Sequence, residues 1–118
     1  MTGPMRLAKL IAYKSNSKFR LGACLAKKGK VVSVGFNQMN KTHPKQQSEY
    51  PYIHAETHAL LGLRYEETVG CDLYVVRIDR NDELKNAKPC DSCMAALETA
   101  GIRRIYYTDD VGIKQIKV

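Results

Sequence analysis

Two short segments hold residue types that ligate metals and move protons: Ile53-His54-Ala55-Glu56 and Lys88-Pro89-Cys90-Asp91-Ser92-Cys93. Each falls where a helix is predicted to start. Cys90 and Cys93 are three residues apart, so in a first helical turn their side chains project on the same side. Free backbone amides and the helix dipole there favour thiolate over thiol. One imidazole and two thiolates make three ligands for a tetrahedral zinc ion, at roughly 2.0–2.3 Å. The fourth position stays open for water, which is the arrangement of a catalytic centre and not of a structural one. Two thiolates also cancel the formal charge of the metal. Glu56 follows His54 by two residues. Its arm can reach water at the open position without ligating the metal. Zinc lowers the pKa of that water toward about 7. A carboxylate can then take the proton and pass it on as a carboxylic acid.

Each part has a plainer reading when taken alone. A single C-x-x-C can be half of a structural zinc site or a redox pair. A single His-x-Glu arises by chance in many helices. Together, in this order and with Pro89 ahead of the first cysteine, they favour a catalytic zinc. The chain has no second C-x-x-C, so a four-cysteine structural site is excluded. A redox pair would leave His54-Ala55-Glu56 without a role. The other two cysteines, Cys24 and Cys71, sit in apolar, strand-like surroundings and are predicted to be buried packing.

The elements that must position these residues alternate along the chain. Met5 to Tyr13 is predicted helical, with Leu7, Leu10 and Ile11 at helical spacing. Leu21–Lys27 and Lys30–Phe36 read as a β-hairpin around Lys28-Gly29. Asn37 to Tyr52 is a long polar loop interrupted by Pro44 and Pro51. His54 to Arg64 is predicted as a helix, and Leu73 to Ile78 as a valine-rich central strand. Asp79 to Lys88 is a second polar loop. Cys90 to Ala100 is helical and stops at Gly101. Ile102 to Thr108 and Ile113 to Val118 are strands joined by a tight turn. The fold class is α/β: one three-layer α/β/α domain over residues 1–118, built on a mixed five-stranded sheet. Right-handed crossovers place the two later helices on one face. The last two strands are too close in sequence for a crossover helix and are predicted antiparallel.

With 118 residues there is room for one domain. Hydrophobic residues make up 44% and charged residues 26%, a balance that excludes a disordered chain. No run approaches the roughly 18–20 apolar residues of a membrane span. The first residues do not form a secretory signal, so a cytoplasmic protein is expected, in the host cytoplasm if the source is viral. The net charge of +7 suits an anionic partner, whether a nucleotide phosphate or single-stranded nucleic acid.

The paired motifs carry a resemblance. His54-Ala55-Glu56 with Pro89-Cys90-Asp91-Ser92-Cys93 resembles the signature of the cytidine and deoxycytidylate deaminase superfamily; an H-x-E…P-C-x-x-C signature of zinc base deaminases is a known general pattern. Gly35-Phe36-Asn37 is similar to that family's Gly-Tyr-Asn, and Ala100 to Tyr107 resembles the stretch after its cysteine helix. The resemblance implies a cytidine deaminase-like fold, a Zn2+ cofactor held by His54, Cys90 and Cys93, and Glu56 as the catalytic proton carrier. It implies that Asn37 meets the substrate and that the backbone at Ala55 and Pro89 binds the base edge; Phe36, next to Asn37, is a further candidate contact. A homo-oligomer is also implied. The expected reaction is deamination of cytosine to uracil in a nucleoside or nucleotide such as dCMP. The alternatives are cytosine or adenine in single-stranded DNA or RNA, including tRNA, and, more remotely, a non-catalytic zinc-binding module. The chain departs from the deoxycytidylate pattern at His58, where an asparagine is usual, and in the extra segment Arg80 to Lys88.

Other residues are read from position. Tyr52 is expected to line the pocket, and Tyr50 is a second candidate to do so. His43 is a candidate phosphate contact in the long loop. His58 is expected beside the metal site rather than on the ion. Phe19 and Arg20 lie just before the first strand, near where related enzymes meet substrate. Arg77, Arg80, Arg103 and Arg104 are expected first as surface charge, with phosphate contact as the alternative for Arg103 and Arg104.

Overall fold

The computed structural model describes residues 3–39 and 52–118. The elements run α1 (Gly3–Ala12), β1 (Arg20–Lys27), β2 (Lys30–Phe36), β3 (Gln38–Met39), β4 (Tyr52–Ile53), α2 (Ala55–Leu60), α3 (Tyr65–Thr68), β5 (Asp72–Ile78), β6 (Leu84–Lys85), α4 (Asp91–Thr99), β7 (Arg104–Thr108) and β8 (Ile113–Lys117). Pro44, Pro51, His43, Tyr50 and the side chain of Tyr52 lie outside the described residues.

The main sheet has the order β2-β1-β5-β7-β8, and β6 adds a sixth strand beside β5. β5 and β7 are parallel and the other pairs antiparallel, so the sheet is mixed. Five strands are expected from sequence. The sixth lies inside the segment predicted as loop, where Leu84 pairs with Ile78 and Lys85 with Arg77. Two residues are too short to show a period. The β3–β4 pair escapes sequence reading for the same reason. β7 and β8 are antiparallel as predicted. Their turn is held by the Asp109 carboxylate, which accepts from the backbone N–H groups of Val111 and Gly112, each at 2.8 Å.

Strand alternation splits the core into two layers. On one face Ala23, Leu25, Leu73, Val75 and Ile105 pack with Ala55 and Ala59 of α2 and Leu97 of α4. On the other, Cys24, Val76 and Ile78 pack with Met5, Ala8 and Ala12 of α1. The two later helices therefore share a face, as the crossover argument requires. Cys24 and Cys71 are fully buried, as predicted.

α1 departs from its predicted stripe. It buries Met5, Ala8, Ile11 and Ala12 and leaves Leu10 60% exposed. The cause is small residues on both sides: a Cβ at Gly22 of β1 would press into the backbone of Ala8 and Ala12. Close approach of backbones has outweighed the larger apolar side chain. α2 is seated likewise, since a Cβ at Gly35 of β2 would press into the backbone of Ala55 and Ala59.

The helix predicted over His54 to Arg64 ends at Leu60. Leu61 (φ −59°, ψ 131°) and Gly62 (φ 78°) form a type II turn closed by Leu63 N–H donating to Leu60 O at 3.2 Å. The short α3 follows. α4 ends as predicted at Gly101, whose φ is 74°. Gly101 N–H donates to Glu98 O and Ile102 N–H to Leu97 O, a full Schellman cap. Among the described residues no helix is long and apolar enough to cross a membrane.

Candidate metal and catalytic site

His54 and Cys90 occupy matching places. Each is the N-cap of its helix, α2 or α4, with extended backbone (φ −75°, ψ 149° and φ −71°, ψ 170°). Neither side chain bonds its own helix amides, although N-caps are usually filled by residues that do. The cap position is given up to turn an imidazole and a thiol outward. The helices bring these groups together: Cys90 Sγ lies 4.0 Å from His54 Nδ1. One ligand atom from each of His54, Cys90 and Cys93 falls within 4.8 Å of the others, the one such group of His, Cys, Asp and Glu among the described residues.

The environment grades from wet to dry across this triangle. Cys90 is exposed, His54 is half-buried and Cys93 is buried. Glu56 is 3% exposed, and its Oε1 has no hydrogen-bond partner among the described residues. Burial pushes the Glu56 carboxyl above its ordinary range, against the opposing pull of backbone and Cys93 hydrogen bonds and of the His54 imidazole. Burial likewise pushes the Cys93 thiol far up, with Glu56 and Cys90 adding to the effect. Without a metal ion, desolvation outweighs the helix N-terminus at Cys93. A dication beside these groups would reverse the balance, because a coordinated thiol is deprotonated outright. An imidazole, two thiols and an orphaned buried carboxylate oxygen together fit zinc chemistry.

His58 sits one turn further along α2, outside the metal group. Its Nδ1 accepts the backbone N–H of Phe36 at 3.0 Å, and Gln38 Nε2 lies at 3.2 Å from the same nitrogen. Its ring meets the Phe36 ring edge-on at 4.9 Å. His58 thus ties α2 to the end of β2. Asn37, fully buried, continues the tie toward β1: Oδ1 accepts from Leu21 N–H at 2.9 Å and Nδ2 donates to Phe19 O at 2.7 Å. Ala55 is buried inside the start of α2, and Pro89 is buried immediately before Cys90.

One residue at this end of the sheet departs from expectation. Arg77, expected as surface charge, is half-buried, with its guanidinium over the Phe19 ring at 4.4 Å and its Nε buried without a partner. The signal was parity: Arg77 shares a strand face with Leu73 and Val75, both in the α2/α4 core.

Known proteins share this architecture. A cytidine deaminase from Burkholderia pseudomallei matches with a TM-score of 0.71 at 23% identity, over 99% of this chain and 93% of that one. A dCMP deaminase from cyanophage S-TIM5 matches with a TM-score of 0.65 at 22% identity, over 92% and 86%. At such identities the likeness is one of fold. An uncharacterized deaminase in the luxG 3′ region of Aliivibrio fischeri is 27% identical over 109 residues, which is 86% of this chain and 67% of that protein. Residues 3–109 match the family described as the cytidine and deoxycytidylate deaminase zinc-binding region. The chain belongs to that family and is a zinc-dependent hydrolase of the deaminase type.

Proposed function

We propose that the chain deaminates cytosine in a nucleoside or nucleotide such as dCMP, giving uracil and ammonia. The observation that carries this reading is Glu56: a buried carboxylate whose Oε1 has no partner among the described residues, two residues from one candidate metal ligand, with a carboxyl pushed up by burial. In this scheme His54, Cys90 and Cys93 hold the zinc. When bound, the metal acts as a Lewis acid and makes water a nucleophile near neutral pH. Glu56 takes one proton from the attacking water and delivers it to the ring nitrogen N3. It then carries the second to the departing amine. The water oxygen bonds C4 as the N3=C4 double bond opens and N3 takes the first proton; the bond from C4 to the exocyclic amine then breaks as C4=O forms, and ammonia leaves with the second proton. Burial suits Glu56 to this relay, since a carboxyl with a raised pKa gives a proton back more readily. Asn37 and the backbone at Ala55 and Pro89 are the proposed substrate contacts that the resemblance implies, and Phe36 and Tyr52 are added from their positions beside them.

The test is Glu56→Gln in the zinc-loaded protein. Ammonia release from dCMP or cytidine should fall by roughly 10²–10⁴-fold, with zinc content and melting temperature kept. Full activity in that variant would refute the proton relay. A zinc-loaded wild type inert toward dCMP and cytidine but active on an oligonucleotide would replace the free-nucleotide reading.

A further inference from the structure

We propose that Arg77 is an anion-binding group at the mouth of the catalytic cleft and that its ligand is a phosphate of the substrate. The inference rests on the deaminase reading and gives it a specificity determinant. Leu73 and Val75 place one face of β5 in the core under α2 and α4. Arg77 is the next residue on that face, at the strand end from which the chain leads to Pro89 and Cys90. Across the sheet it pairs in register with Leu21, whose backbone is held by Asn37. Arg77 therefore stands between the segment that carries the metal-binding cysteines and the segment that Asn37 fixes.

Its surroundings leave a positive charge under-used. Among the described residues no carboxylate forms an ion pair with Arg77, although Arg20 and Arg103 each have one and Arg64 and Lys85 each have two. Among the described residues its one side-chain hydrogen bond runs from Nη1 to Asn86 O and is long, at 3.3 Å. Nε is buried and unpartnered. A half-buried guanidinium lacking a counterion is costly unless something anionic arrives. Its forked donors suit a phosphate, which they can grip in two places. The Phe19 ring under the guanidinium holds the fork flat and is itself 48% exposed. Phe19 also lines a recess of about 270 Å³ together with Lys18, Arg80, Asp79 and Asn81. The positive charge thus extends outward from Arg77.

The experiment compares dCMP with deoxycytidine, and a cytosine-containing single-stranded oligonucleotide with both, on zinc-loaded wild type, Arg77→Gln and Arg77→Lys. The ratio of kcat/KM for dCMP to that for deoxycytidine should fall roughly 10- to 100-fold in Arg77→Gln, the loss of one charge-assisted contact. KM for dCMP should carry the loss, and Arg77→Lys should restore part of it. A loss for the oligonucleotide alone supports the same phosphate contact with a polymer as its source. An unchanged ratio, whether from equal losses or from none, overturns the proposal unless the oligonucleotide alone loses activity. Calorimetric binding of dUMP against deoxyuridine separates its failure from that of the deaminase reading. If the wild type turns over none of these substrates, the deaminase reading fails. Weaker dUMP binding in Arg77→Gln would still support the phosphate contact, and equal binding would overturn it.

Discussion

The two faces of the sheet are built by one device and put to different ends. On each, a strand glycine lets a helix backbone come closer than any side chain would permit: Gly22 under α1 and Gly35 under α2. Under α1 the result is packing alone, with Met5, Ala8 and Ala12 filling a small core. Under α2 it fixes the height of a helix whose N-cap is His54 and whose first turn carries Glu56. Close seating is thus a general means of placing a helix, and it becomes functional where the helix end faces a second one. α4 supplies that second end, with Cys90 at its N-cap.

The comparison breaks most sharply at the cysteines. Cys90→Ser should abolish tight zinc binding and with it deamination, whereas Cys24→Ser on the α1 side should leave zinc content near one ion per chain. Metal analysis of the two purified variants decides this. Chelation of the wild type should reproduce the Cys90→Ser loss, and zinc should restore activity.

The glycines sharpen it. Gly35→Ala and Gly22→Ala should each destabilise by more than the about 1–3 kcal/mol usual for overfilling a packed site, because the added Cβ meets backbone. Only Gly35→Ala should also weaken zinc affinity, because it lifts His54 with α2. Equal zinc affinity in both variants at a temperature where both are folded would show that the seating of α2 does not position the ligand.

How much of this could be read from the chain alone follows from the range of each signal. The metal group is announced by two short motifs at helix starts, since coordination requires particular residue types at close spacing. The order of the large elements follows from apolar periodicity in the same way. Arg77 is different. Its importance depends on strand register, and a lone arginine at the end of an apolar strand reads as surface. The burial side of α1 was also misread, because Leu10 outweighs Ala8 and Ala12 on a hydropathy scale while Gly22, far along the chain, decides the contact. The end of α2 hung on one turn at Gly62 that broke no apolar pattern.

Smaller effects test the ties around the site. His58→Ala removes the acceptor of the Phe36 N–H and should cost about 1–2 kcal/mol. A rise in KM larger than any fall in kcat would place its effect on the substrate wall and not on the metal. His58→Asn should recover part of both, as an amide oxygen can also accept. The smallest difference lies in thiol reactivity. Burial pushes the Cys24 thiol up to about 11, so at pH 8 roughly one molecule in a thousand carries the reactive thiolate there. In metal-free protein the exposed Cys90 should react with a disulfide reagent first, Cys24 and Cys71 last, and added zinc should protect Cys90. Rapid labelling of Cys24 in folded protein would contradict its burial.

The Asn37 amide has a consequence for how this protein ages. Its nitrogen donates to Phe19 O and its oxygen accepts from Leu21 N–H, so the position needs a side chain with one end of each kind. Slow hydrolysis to aspartate would set a carboxylate oxygen against the Phe19 carbonyl and release the wall on which Phe19 and Arg77 rest. Full burial keeps bulk water from that amide. A catalyst that strips amino groups from its substrates must, through its working life, be shielded from losing one of its own.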